Sequence, residues 1–245
     1  MSWLFVFIAS LELLTVINNK AEIVKVDVFD NVYTVKGSSL TKTAINGEKQ
    51  TYSTSNSENI TQIDISEIHK PLVYIEDKNQ VVVLDLDLIE LKTIDLNDQG
   101  LGKGRIAVTS SGNFWFYECE SNTLVEITET GKVIQQIDYT HILKPTSTCD
   151  LFFTGGALYI KDNAGIHIFD KLGAYVRSIQ QQGITSVEIS GMICYFSTVD
   201  GIFNHDFRSN ETTLLLEIAS VLDIEVEKGQ LYVCVPSGIK IYKLK

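Results

Sequence analysis

Apolar-rich segments in this chain are only about five residues long and are separated by turns rich in glycine, asparagine and aspartate. Runs that short suit β-strands and are too brief for helices. The stretch GGALYIKDNAGIHIFDKLGAYVRSI, residues 155–179, shows the grammar. A turn at Gly155 and Gly156 precedes an apolar run from Ala157 to Asp162, and a second turn at Asn163–Gly165 leads to His167–Asp170. A third turn at Lys171–Gly173 precedes a last run ending at Ile179. Such turn residues tolerate positive φ or hydrogen-bond their own backbone. With Asp150–Phe153 upstream, the pattern predicts a four-stranded antiparallel meander.

The unit repeats. Anchored on the aromatic residue of its second strand, it falls at Tyr33, Tyr74, Trp115, Tyr159, Tyr195 and Tyr232, with steps of 36 to 44 residues. Six four-stranded copies at this spacing predict an all-β, six-bladed β-propeller. A β-sandwich would not repeat its aromatic at constant spacing. The last copy has only three strands, at Asp223–Val226, Leu231–Val235 and Ile239–Leu244, whereas Leu11–Asn19 precedes the first copy with no sheet of its own. The N-terminal stretch is therefore expected to complete the last blade and close the ring. The chain reads as one propeller domain over 11–245, with residues 1–10 as a short signal or N-terminal extension.

That N-terminus opens with an apolar run of seven, Trp3–Ala9, too short to span a bilayer. It lacks a basic segment before it and a good cleavage site after it. Export to the periplasm or cell envelope is favoured, and a cytoplasmic location follows if the run is only a first strand on the outer edge of the closing blade. The four cysteines, Cys119, Cys149, Cys194 and Cys234, show no zinc spacing and are expected as buried free thiols.

Chemistry is sparse. The net charge of −11 and the absence of a cationic stripe argue against nucleic acid, and GKGR at 102–105 reads as a flexible turn. No nucleophile-elbow, zinc-protease or P-loop motif occurs. The stretch from Asp95 to Ile106 starts like a calcium loop but ends on Ile106, where a bidentate glutamate is needed. LDLDL, Leu84–Leu88, reads as a strand with a solvated face, and Thr51–Thr61 as a connection between blades. His167 and His205 fall on third strands, His69 in a turn and His141 in a long connection, so they do not converge on a metal. No cofactor, metal ligand or catalytic residue is assigned.

One constellation remains. The innermost strands of a propeller ring its axis, and here they carry Lys25 and Asp27, Asp64, Arg105, Asp150, Glu188, and Asp223 with Glu225. Lys25, Asp64, Arg105, Asp150, Glu188 and Glu225 are the candidate ligand-binding residues, for a polar small molecule, a cation or a peptide end. The alternative is that they pair with one another or with water.

The repeated GxLYIxDxxGIxIFDxxGxYVRSI pattern resembles six-bladed propellers of the NHL-like kind, and the chain from DNVYTVKGSSL to GIKIYKLK is similar to exported propeller proteins of the Bacteroidetes group. That resemblance implies interaction modules, sugar or peptide binders, and some lyases and hydrolases; no catalytic motif of theirs maps onto this sequence. The expected function is non-catalytic binding or scaffolding of a protein or polar small molecule by a monomer. The alternative is a hydrolase or lyase acting on a carbohydrate or polar small molecule, with Asp64, Arg105, Glu188 and Glu225 as the first residues to test.

Overall fold

The computed structural model describes residues 11–109, 112–144, 146 and 148–244. These form six four-stranded antiparallel sheets, the fold of a six-bladed β-propeller. The first sheet holds β2 (Ile23–Val26), β3 (Val32–Lys36), β4 (Ser39–Thr43) and β5 (Lys49–Ser53). The second holds β6 (Gln62–Asp64), β7 (Leu72–Ile75), β8 (Gln80–Leu84) and β9 (Glu90–Asp95). The third is β10 (Gly104–Val108), β11 (Phe114–Glu118), β12 (Thr123–Ile127) and β13 (Val133–Asp138). The fourth, from the stretch quoted above, is β14 (Asp150–Thr154), β15 (Ala157–Lys161), β16 (Gly165–Asp170) and β17 (Tyr175–Gln180). The fifth is β18 (Ser186–Ser190), β19 (Ile193–Thr198), β20 (Gly201–Asp206) and β21 (Glu211–Leu216).

The sixth sheet contains β22 (Asp223–Glu227), β23 (Gln230–Val235), β24 (Gly238–Lys243) and, as its outer strand, β1 (Glu12–Ile17). β1 lies antiparallel to β24, with Ile17 opposite Ile239 and Glu12 opposite Lys243. This is the closure expected from the three-stranded last repeat. Residues 1–10, read as a signal or extension, lie outside the described residues.

The chain divides into two compact units, one running up to Val28 and resuming at Gly183, the other Phe29–Gln182. In the first, Ile224, Leu231, Val233 and Tyr242 pack with Tyr195 and Ile202. In the second, one cluster sets Tyr74, Val81 and Leu96 against Ile106, Phe116 and Val125. Another sets Trp115, Tyr117 and Leu124 against Leu151, Leu158 and Phe169. All six anchor aromatics are buried. The structural equivalent of Tyr74 in the third sheet is nevertheless Tyr117: each phenol donates to an asparagine five residues on, Asn79 or Asn122, at 2.8 Å.

Several sequence expectations change. Cys119 and Cys149 form a disulfide, with Cα atoms 5.9 Å apart; only Cys194 and Cys234 are free, both buried. Cys119 sits on the β11–β12 turn and Cys149 just before β14, so the bridge spans β12, β13 and the connection after them, a path that strand spacing does not show. LDLDL leaves the sheet after Leu84: Asp85 accepts from the backbone N–H groups of Asp87 and Ile89, forming a turn in which Leu88 adopts φ of 62°. Asp170 builds the same turn with Leu172 and Ala174, with Gly173 at φ 87°. The alternation of acid and leucine in LDLDL thus marks a recurring aspartate turn, not the strand the sequence pattern predicts. Thr51–Ser53, read as connection, belongs to β5.

Candidate functional site

The first strand of each sheet is an edge strand, and its outward N–H groups need acceptors. For β10, β22 and β2 they are supplied by side chains from the first strand of the preceding sheet. Gln62 Oε1 accepts from Ile106 N at 2.9 Å, and Asp64 Oδ2 from Val108 N at 2.8 Å. In the other unit, Ser186 Oγ accepts from Ile224 N at 3.1 Å, Asp223 Oδ2 from Val24 N at 3.0 Å, and Glu225 Oε1 from Val26 N at 3.4 Å. Asp64 also accepts from Ser66 N through its other oxygen, at 2.8 Å.

A cation cannot accept an N–H bond, so where the same rows carry lysine or arginine the arrangement changes. Lys25 Nζ lies 2.7 Å from Glu225 Oε2 and 3.0 Å from Glu188 Oε2. Burial alone would lower the Lys25 pKa, but the carboxylates of Glu188, Glu225 and Asp223 outweigh it and hold the ammonium well above its ordinary value. Burial, reinforced by Glu188, pushes Glu225 well above the carboxylate range despite Lys25. Burial likewise raises Asp223, opposed by Lys25, the Ser186 hydroxyl and Val24 N. In the other unit, Arg105 reaches Glu76 at 3.3 Å and Asp150 at 3.5 Å, and Asp150 also holds Lys161 at 2.6 Å.

The structure therefore gathers Lys25, Glu188 and Glu225 into one cluster and Arg105 with Asp150 into another. Asp64 bonds the backbone of β10 and its own loop instead. Asp27 is buried at the end of β2. His167 places Nε2 3.0 Å from Asp162 and Nδ1 2.7 Å from Ser178, and His205 Nδ1 meets Thr212 at 2.9 Å. Asp95, first residue of the calcium-like stretch, accepts from Asn97 and Gln80. No group of three or more acidic, histidine or cysteine ligands suited to a metal occurs among the described residues.

Sequence reasoning missed one concavity. A groove of about 580 Å³ opens where β10 and β14 end, a size typical of small-ligand sites. One wall is a cross-strand row on the third sheet: Trp115 stands opposite Glu126, and Glu126 opposite Gln135. Such partners have Cβ atoms about 5 Å apart. Asn113 Nδ2 donates to Glu126 Oε1 at 2.9 Å and fixes the carboxylate. The facing rim is the Gly155–Gly156 turn, with φ of 59° and 75°, as a tight hairpin between β14 and β15 requires. A Cβ at either glycine would meet nothing within 4 Å, so this part of the margin is bordered by open space. Ser66, Glu67, Thr154, Lys171 and Leu172 complete the margin. The glycine pair was legible as a turn; the Trp–Glu–Gln row required the register of two hairpins.

No family model matches the sequence, and no curated protein matches it significantly. Solved structures do match in shape. A protein of unknown function from Bacteroides thetaiotaomicron is 11% identical, with 96% of this chain and 72% of that one covered at a TM-score of 0.69. A streptogramin B lyase is 12% identical, with 96% and 97% covered at 0.66. A virginiamycin B lyase from Staphylococcus aureus, in a catalytically inactive form with quinupristin, is 14% identical, with 91% and 80% covered at 0.66. At these identities the likeness is one of fold: this chain is a six-bladed β-propeller whose architecture is shared with lyases and with Bacteroides propeller proteins.

Proposed function

We propose that this chain is a non-catalytic binding propeller whose ligand enters the groove beside Trp115, Glu126 and Gln135. One observation carries the reading. The ionisable side chains on the first strands are engaged in bonding edge N–H groups and in pairing with each other, whereas the groove's polar side chains border an open volume of ligand size. The resemblance of the repeat to NHL-like propellers fits a binding module. The Cys119–Cys149 disulfide supports placement in an oxidising compartment, as for an exported protein.

The test is a thermal-shift screen of neutral sugars, amino sugars and short peptides against the wild type and Thr154→Tyr, which fills the groove from its margin. A compound that raises the wild-type midpoint and leaves the variant's unchanged supports the reading. Stabilisation that persists in Thr154→Tyr overturns it.

The second reading, an enzyme acting on a carbohydrate or polar small molecule, is favoured by the Lys25–Glu188–Glu225 cluster. There a carboxyl group held above its ordinary range adjoins another carboxylate, the disposition general acid–base chemistry uses. Turnover of any screened compound, abolished by Glu188→Gln, would establish that reading over the first.

A further inference from the structure

Resting on the groove as the ligand site, we propose that its ligand carries a primary ammonium on a polar body, of the kind an amino sugar or the free amino end of a short peptide presents. Two carboxylates line the groove, Glu67 and Glu126, both half-buried. Several other carboxylates have cations of their own, and others, such as Asp64 and Asp170, are held by two or more backbone N–H groups. Glu129 is held by Lys70 at 2.8 Å, Glu188 and Glu225 share Lys25, and Glu76 and Asp150 meet Arg105. Among the described residues, Glu67 and Glu126 have no ion pair; Glu126 has only the neutral Asn113 amide, on Oε1. A carboxylate partly withdrawn from water without a cation has an incentive to acquire one.

The surroundings suit a small cation better than a neutral apolar ligand. In the cross-strand row, Glu126 is flanked by Trp115 and Gln135. Trp115 is only 2% exposed, so it offers little ring surface for stacking and serves mainly to keep water from one side of the carboxylate. Gln135, Ser66 and Thr154 offer hydrogen-bonding groups to hydroxyls or amides on the body of the ligand. Lys171, the groove's own cation, sits on an exposed turn at the margin. The net charge of −11 favours approach of a cation over an anion.

The experiment is calorimetric titration of the intact protein with two matched pairs: glucosamine against glucose, and trialanine against N-acetyl-trialanine. A hydrogen bond to a charged group contributes about 1.5–3 kcal/mol, which corresponds to about tenfold or more in Kd. At least one amine should therefore bind about tenfold or more tightly than its neutral counterpart, and the pair that does so identifies the source of the ammonium. Glu126→Gln should remove the difference with an unchanged melting midpoint, and Lys171→Met should tighten amine binding. Equal affinities within both pairs, binding of none of the four at millimolar concentration, or full amine binding by both Glu126→Gln and Glu67→Gln would overturn the ammonium inference. If neutral and cationic members bind alike and Thr154→Tyr abolishes both, the groove stands and only the charge inference falls. If Thr154→Tyr leaves binding intact, the groove itself is wrong.

Discussion

Replacing Lys25 with methionine keeps the aliphatic stem and deletes one charge. In the wild type that charge sits 2.7 Å from Glu225 and 3.0 Å from Glu188, with side chains 18%, 10% and 18% exposed for Lys25, Glu225 and Glu188. Removing one member of a buried ion pair costs about 3–5 kcal/mol, because the partner is left without compensation. For a domain of this size each kcal/mol moves the melting midpoint by about 2–4 °C, so Lys25→Met should melt roughly 6–20 °C below the wild type near neutral pH. The cost should depend on pH. Glu225 has a folded pKa raised above its unfolded value, so its contribution is favourable below about pH 4.3 and is lost as pH rises through the folded value. Lys25 has its pKa raised in the folded state, so its contribution is complete below about pH 10.4 and fades only in strong alkali. Lys25→Met should therefore hurt least in mild acid, where Glu225 takes up a proton, and progressively more toward pH 8. Glu225→Gln alone should be neutral or stabilising at pH 7, and added to Lys25→Met it should restore part of the loss. Urea midpoints at constant m-value, collected from pH 4.5 to 8.5, give the comparison. A Lys25→Met cost below about 1 kcal/mol at pH 7.5, or one equal at both ends of that range, would refute this account of the cluster.

Three further outcomes follow from the structure. Opening the Cys119–Cys149 link frees a loop of 30 residues, which the chain-entropy relation values at about 3.6 kcal/mol; reductant should lower the urea midpoint of the wild type and leave that of the Cys119→Ser/Cys149→Ser protein unmoved. Tyr74→Phe removes both a donor to Asn79 and the acceptor for Gly104 N at 3.1 Å, and a buried N–H left unpaired costs about 1–3 kcal/mol; ultraviolet titration should also lose one phenol ionising at about 12. A chain beginning at Ala21 lacks β1 and exposes the edge of β24, so it should melt several degrees lower or aggregate, and an unchanged midpoint would remove the closure role assigned to β1.

The fold was legible because its information is local and repeated. Turns such as FDKLG, with Asp170 bonding forward to Ala174, cut the chain into strands too short for anything but sheet, and the buried aromatic of each second strand sets the period. The closure was legible because one repeat lacked a strand that another stretch could supply. Errors arose where two local patterns look alike. Asp85 in LDLDL has the alternation of a strand and the side-chain bonding of a turn, and only the partners Asp87 N and Ile89 N separate the two. The Cys119–Cys149 bridge depends on a connection whose described residues between Tyr139 and Cys149 form no strand or helix, so no periodicity reports it.

The candidate residues divide on a different principle. Their location on first strands follows from the repeat, but what each does depends on whether its side chain can accept. Asp64, Asp223 and Glu225 can, and the neighbouring strand's N–H groups claim them. Lys25 and Arg105 cannot, and they draw carboxylates together instead. The acids on these first strands are thus accounted for by edge satisfaction, as at Asp64, Asp223 and Glu225, or by a paired cation, as at Asp150 and Glu188, before any ligand is invoked. Glu126 lies on the third strand of its sheet, where the backbone is paired on both sides and no edge N–H needs it. That leaves its carboxylate, which borders the groove with Gly155 and Gly156, as an acid that edge satisfaction does not require and the proposed ligand would explain.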